Sequence, residues 1–149
     1  MKGGGTLNDD IKTLKFDWEF GVEELTIKVM SYNAGEGLYI GLFDKDEDGE
    51  WELFGDLTVN LPGYSLEPDE AFISDFSCRS KLAFIEEHKL GKVLSETGRS
   101  GMAEYRLAAF DLERLAEFDK EGVMEYRRLR GLKPERTSVD AFKNNSFMR

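Results

Sequence analysis

Residues 14 to 20, LKFDWEF, set Leu14, Phe16, Trp18 and Phe20 on one side of an extended chain and Lys15, Asp17 and Glu19 on the other. That alternation is the period of a half-buried strand. The run EELTIKVMSY repeats it through Leu25, Ile27 and Val29, and Gly21 between the two runs predicts a hairpin. Turn residues crowd NAGEG at 33 to 37; LYIGLF and LFGDLTVNL then form two more apolar runs on either side of an acidic stretch, so four strands in meander order precede residue 62. Pro62, Gly63 and Pro68 make LPGYSLEPDE a loop, since proline lacks a ladder donor. A short fifth strand, AFISDF, follows.

The period then lengthens. In SCRSKLAFIEEHKLG, Ser77 or Ser80 is placed to cap a helix, Leu82 and Ile85 fall three apart, and Gly91 follows as the expected C′ residue. KVLSET and MAEYRLAAF, joined by GRSG, predict a second hairpin with Gly98 and Gly101 supplying positive φ. Asp111 is the expected cap of a helix carrying Leu112, Leu115 and Ala116, and Asp119 that of another running through Val123, Tyr126 and Leu129, with Gly122 marking two helices or a kink. Strands first, one helix, a hairpin, then helices is not a βαβ alternation. The pattern predicts an α+β fold: a mainly antiparallel sheet of five to seven strands with two or three helices packed on one face. One domain spans residues 1–131, its first ten residues expected to be flexible. Residues 132–149 lack periodicity and read as a basic flexible tail.

Composition narrows the class. Among 149 residues, 40 % are hydrophobic, with 11 Phe, 5 Tyr and 2 Trp, too apolar for a disordered chain. No apolar stretch has the length of a membrane span, no leader-like segment opens the chain, and Cys78 is the single cysteine. The expectation is a cytoplasmic protein without disulfides. The net charge of −10 is unevenly spread: residues 127–149 hold seven Lys or Arg against two acids, a balance of +5, which leaves −15 on residues 1–126. An acidic body repels phosphates. Direct nucleic-acid binding by the body is therefore not expected, and the expected partner is an unidentified protein, with no oligomeric state fixed.

The most chemical-looking segment is DKDEDGEW, with Asp44, Asp46, Asp48 and Gly49 at the spacing of an EF-hand calcium loop. Asp44, Asp46, Asp48 and Glu50 are the candidate ligands. Against calcium, the twelfth position, where the loop needs a bidentate Glu, is Gly55, and strands rather than helices flank it. A hairpin tip around Asp48-Gly49 explains the same residues. Cys78 and His88 stand ten apart, about 80° out of line on a helix, with no nucleophile motif around either. GEG and GRSG lack the Lys-Ser/Thr ending of a phosphate loop. No catalytic residues, cofactor or metal are assigned. The carboxylates Glu36, Asp44, Asp46, Glu47, Asp48, Glu50 and Glu52, opposed by Lys45 alone, are the candidate partner-binding residues.

Beyond these local patterns, FGDLTVNLPGYSLEPDEAFISDFS, KLGKVLSETGRSG and AAFDLERLAEFDKEGV resemble the bacterial family called domain of unknown function 4313, over roughly residues 18 to 131. The densest part is Gly55 to Pro62 with Tyr64, Leu66, Pro68, Glu70, Ala71, Phe72 and Asp75. The resemblance implies a small protein of plasmids and conjugative or phage-like elements, and it supplies no catalytic residues. The leading expectation is a non-enzymatic accessory protein of a mobile element acting through protein contacts. The alternative is an acidic nucleic-acid mimic that inhibits a host defence protein, and an enzyme ranks third.

Overall fold

The alternation at the start of the chain builds the first sheet. In the computed structural model, which describes residues 11–32 and 36–132, β1 (Leu14–Trp18), β2 (Gly21–Tyr32), β3 (Gly37–Lys45) and β4 (Trp51–Asp56) form an antiparallel meander in that order. The expected flexible segments at 1–10 and 133–149, and most of the NAGEG turn, lie outside the described residues. Phe16, Leu25, Ile27, Val29, Leu38, Ile40 and Leu42 all turn one way, and each is at most 2 % exposed. They form one wall of the core.

The expected single sheet is two. LFGDLTVNL, read as one strand, breaks after Asp56: a register shift between Leu42 and Phe43 bends β4, and the chain then crosses so that Leu57 donates its N–H to Ile40 O at 2.9 Å. Thr58 locks the crossing, its Oγ1 accepting from Ile40 N and donating to Leu38 O. Here β5 (Thr58–Val59) opens a second sheet with β6 (Glu70–Ile73), β7 (Gly91–Ser100) and β8 (Ala103–Phe110), ordered β5-β6-β8-β7 and antiparallel throughout. Three helices complete the described residues, α1 (Cys78–Glu87), α2 (Leu112–Ala116) and α3 (Lys120–Leu129). The α+β class stands, with eight strands in two sheets among the described residues.

Both sheets and the helices share one core, in which Ile73, Phe84, Ile85, Leu115, Val123 and Tyr126 meet the wall of the first sheet. A smaller cluster of Leu61, Phe72 and Leu107 lies apart, Phe72 pointing opposite to its strand neighbours Ala71 and Ile73 as alternation requires.

Local signals fix the ends of the helices, with two corrections. Asp111 accepts from the N–H groups of Glu113 and Arg114, both at 3.1 Å. Asp119 caps α3 through Gly122 N and also takes Val29 N of β2 at 2.9 Å, satisfying an edge donor that β1 does not reach. Of the two helices or a kink expected around Gly122, two helices form, and Gly122 itself allows close approach, for a Cβ there would stand 2.4 Å from Val29 O. At the end of α1, the expected C′ glycine is displaced. Lys89 takes the left-handed turn (φ 58°), and the bonds Lys89 N to Glu86 O and Leu90 N to Ile85 O make a Schellman pair. Gly91 is instead held for close approach, with Ala109 O 2.4 Å from where its Cβ would be. Gly98 likewise does not take positive φ but makes room for the Phe72 ring, 2.5 Å from its missing Cβ. Gly101 alone turns that hairpin (φ 62°), in the manner of a II′ turn between Ser100 and Ala103.

Candidate functional site: an acidic hairpin and an open sheet face

DKDEDG folds as the tip of the β3–β4 hairpin. Asp46 Oδ1 accepts from Asp48 N at 2.8 Å and from Glu50 N at 2.9 Å, while Asp46 N donates to Glu50 O and Gly49 N to Asp46 O. Gly49 takes φ 82°, a conformation open to glycine at no steric cost. The aspartate that the calcium spacing set at position 3 thus spends a carboxylate oxygen on its own turn. Among the described residues no group of three or more His, Cys, Asp or Glu is placed to hold a metal ion.

The seven candidate carboxylates are not brought to one place. Glu47, Asp48 and Glu50 stand at the tip, and Asp44 faces Glu52 across the ladder. Glu36 precedes the far end of β3, roughly 25 Å from Asp44 at strand rise. Asp56 is engaged elsewhere, accepting from the Tyr39 hydroxyl at 2.6 Å. Burial and that carboxylate push the Tyr39 phenol above its ordinary range.

What the hairpin belongs to is more informative. Residues out of phase with the core side of β2 and β3 face outward, and register assembles them into rows: Thr26, Phe43 and Leu53; Lys28, Gly41 and Asp56; Met30 and Tyr39; Lys45 and Trp51. Val22, Met30 and Leu53 are 59 %, 47 % and 54 % exposed. Phe43 and Trp51 are half-buried, with Lys45 Nζ 5.3 Å over the Trp51 ring. The Trp51 indole N–H and the Thr26 hydroxyl are sealed from solvent without a hydrogen-bond partner, an unusual debt on an outward face. Toward α3 the face runs into a groove of about 590 Å³, lined by Met30, Phe43, Glu121, Glu125 and Leu129 among others. The sequence reading passed over this surface, although its signal was present: in LYIGLF both alternating sets are apolar.

The remaining candidates separate. Cys78 begins α1 and His88 follows its end, about 15 Å apart at helical rise. His88 is engaged in packing: Nε2 lies 2.8 Å from Lys15 O, its ring meets Phe84 edge-on, and its carbonyl accepts from the Arg114 guanidinium. Burial raises the Cys78 thiol above its ordinary pKa, the wrong direction for a nucleophile. FGDLTVNLPGY forms strand and loop, with Leu57, Thr58 and Leu61 buried, rather than a cleft of converging polar groups. No helix among the described residues is long and apolar enough to cross a membrane.

These features define a two-sheet α+β protein with an acidic hairpin and one sheet face that no described element covers. The profile of the domain of unknown function DUF4313 matches residues 26–129, and the chain belongs to that family. The match runs from β2 through α3 and includes the hairpin and most of the open face. No curated protein and no solved structure matches the chain.

Proposed function

We propose that the protein is a non-enzymatic cytoplasmic accessory protein of a plasmid or conjugative element, and that it works by docking a basic, apolar-bearing segment of a partner protein on the open face of the first sheet. The observation that carries this is the row structure of that face. Val22, Met30 and Leu53 are exposed on one side of a hydrogen-bonded sheet, beside a groove whose walls include Glu121 and Glu125. These apolar residues alternate with Lys28, Lys45 and Asp56, the mixed apolar and polar make-up of a non-obligate protein interface. The acidic tip and the charge of −15 on residues 1–126 favour a basic partner through steering and complementarity. Membership of the family, and the mobile-element setting its resemblance implies, supports the accessory role.

Mimicry of nucleic acid is the second reading, favoured by one feature: the backbone of the tip is tied by two bonds to Asp46, so Glu47, Asp48 and Glu50 project from a defined turn. Affinity capture from the native host separates the two. The baits are the wild type, a face variant (Met30→Lys with Leu53→Lys) and a tip variant (Asp44→Asn, Asp48→Asn, Glu50→Gln) that leaves Asp46 to hold the turn. A protein captured by the wild type, released by salt and lost on the face variant is the expected result. Loss on the tip variant alone transfers the function to mimicry, and capture equal on all three contradicts both readings.

A further inference from the structure

The groove beside the open face runs along α3, from Glu121 past Glu125 to Leu129, and α3 ends at Leu129. Gly131 takes φ 72°, and the bonds Gly131 N to Arg128 O and Leu132 N to Arg127 O close the helix as a Schellman pair. Pro134 follows, a residue that does not continue a helix. The chain therefore leaves α3 at the Leu129 end of the groove.

Residues 133–149, KPERTSVDAFKNNSFMR, have the chemistry that this groove matches. Four Lys or Arg against Glu135 and Asp140 give a balance of +2, and Phe142, Phe147 and Met148 are apolar anchors. In the lining, Asp119, Glu121 and Glu125 outnumber Lys28. Asp119 is committed to its cap and to Val29 N, and Glu125 holds Arg128 at 2.5 Å. Glu121 is exposed and has no ion pair among the described residues. Met30, 47 % exposed, and Phe43 supply the apolar wall. Leu129 and Glu121 stand about 12 Å apart at helical rise, a distance that an extended chain covers in about four residues.

We infer that residues 133–149 are the resident ligand of this groove: the segment folds back along α3, sets Lys133 and Arg136 against Glu121 and Glu125, lays its apolar residues on Met30 and Phe43, and must be displaced before a partner docks. The inference rests on the docking reading, whose partner has the same basic and apolar character. A segment tethered this close has an effective concentration of about 1 mM. A contact with a Kd of about 0.1 mM is then closed about nine-tenths of the time and lowers a partner's affinity about tenfold. A second copy is the weaker occupant, because chains of net charge −10 repel one another.

The test is paramagnetic relaxation in the full chain, with Asn144→Cys spin-labelled in a Cys78→Ser background. The ¹⁵N amides of Met30, Phe43, Glu121 and Leu129 are expected to broaden more than those of α1, which packs on β1 and β7. Charge reversal (Lys133→Glu, Arg136→Glu, Lys143→Glu) should abolish the broadening. Should the Cys78→Ser background not fold, the same amides should still shift between the unlabelled wild type and the charge-reversed chain. A synthetic peptide of residues 133–149 should bind the groove of the charge-reversed chain about tenfold more tightly than that of the wild type, where the chain's own segment competes. No broadening, with equal peptide binding to both chains, overturns the inference and leaves the docking reading in place. Broadening together with equal capture of the host protein by the wild type and the face variant overturns the docking reading, and with it the displacement step. Broadening in a mixture of separately spin-labelled and ¹⁵N-labelled chains gives the groove to a second copy and also overturns the inference.

Discussion

On the outer face of the second sheet, Phe72 and Leu107 are closed by the loop that follows β5, which contributes Leu61; on the outer face of the first, Val22, Met30 and Leu53 stand in solvent. The difference comes from a few residues. Tyr64, from LPGYSL, packs edge-on against Phe72 at 5.0 Å and takes the N–H of Arg99 on its hydroxyl at 2.7 Å. Gly98 leaves the space that the Phe72 ring fills. The first sheet has apolar residues of similar size, yet no described loop returns over Met30 or Leu53. Apolar area stabilises a fold at about 25 cal/mol per Å² only when something removes it from water. The covered face therefore contributes to stability, and the exposed apolar area of the first sheet contributes little.

Substitutions can break this contrast at several points. The largest effect is expected from Phe72→Ala, which empties the smaller cluster and should cost about 3–5 kcal/mol in chemical denaturation, the range for a buried aromatic ring; a loss under about 1 kcal/mol would mean the loop does not seal that face. Next comes Lys81, which is 3 % exposed, its ammonium over the Phe76 ring. Lys81→Met should stabilise the protein by about 1 kcal/mol near neutral pH, because it removes a charge that burial disfavours. The sign follows from linkage. Burial lowers the Lys81 pKa in the folded state below its ordinary 10.5, so between the two values the unfolded chain holds the extra proton and wild-type stability rises with pH. The advantage of Lys81→Met should shrink as pH approaches 10.5, and an advantage that grows instead would contradict the burial. The smallest effect is expected from Tyr64→Phe. It removes the bond to Arg99 N but keeps the ring, for about 1 kcal/mol, and melting curves on the two proteins will show whether the loop is held by that bond.

Local signals carried much of this fold. Alternation in LKFDWEF and EELTIKVMSY is enough to set the first hairpin, because side chains on a strand must take opposite faces; Asp111 and Asp119 cap helices with bonds that span two or three residues. The division into two sheets was not legible. It depends on Leu57 N reaching Ile40 O, a contact between segments whose own propensities are the same on either side of the break. The exchange at the end of α1 was hidden for a similar reason, since Gly91 is required by Ala109 on another strand and Lys89 takes the turn in its place. At the candidate site, the acidic tip was plain in DKDEDG, and the role of Asp46 follows from turn chemistry. The open face was not, because an apolar residue on either parity of a strand looks the same until a neighbouring loop covers one side and leaves the other.

The contrast between the faces is tested most directly by one paired measurement, urea denaturation of Leu107→Ser and Leu53→Ser. The two make the same chemical change on the outer faces of the two sheets, at positions 6 % and 54 % exposed. Leu107→Ser is predicted to cost about 2–5 kcal/mol, as for a leucine removed from a core, and Leu53→Ser no more than about 0.5 kcal/mol. Equal losses would contradict the account, because the first sheet's outer face would then be part of what holds the protein together rather than a surface left for a partner.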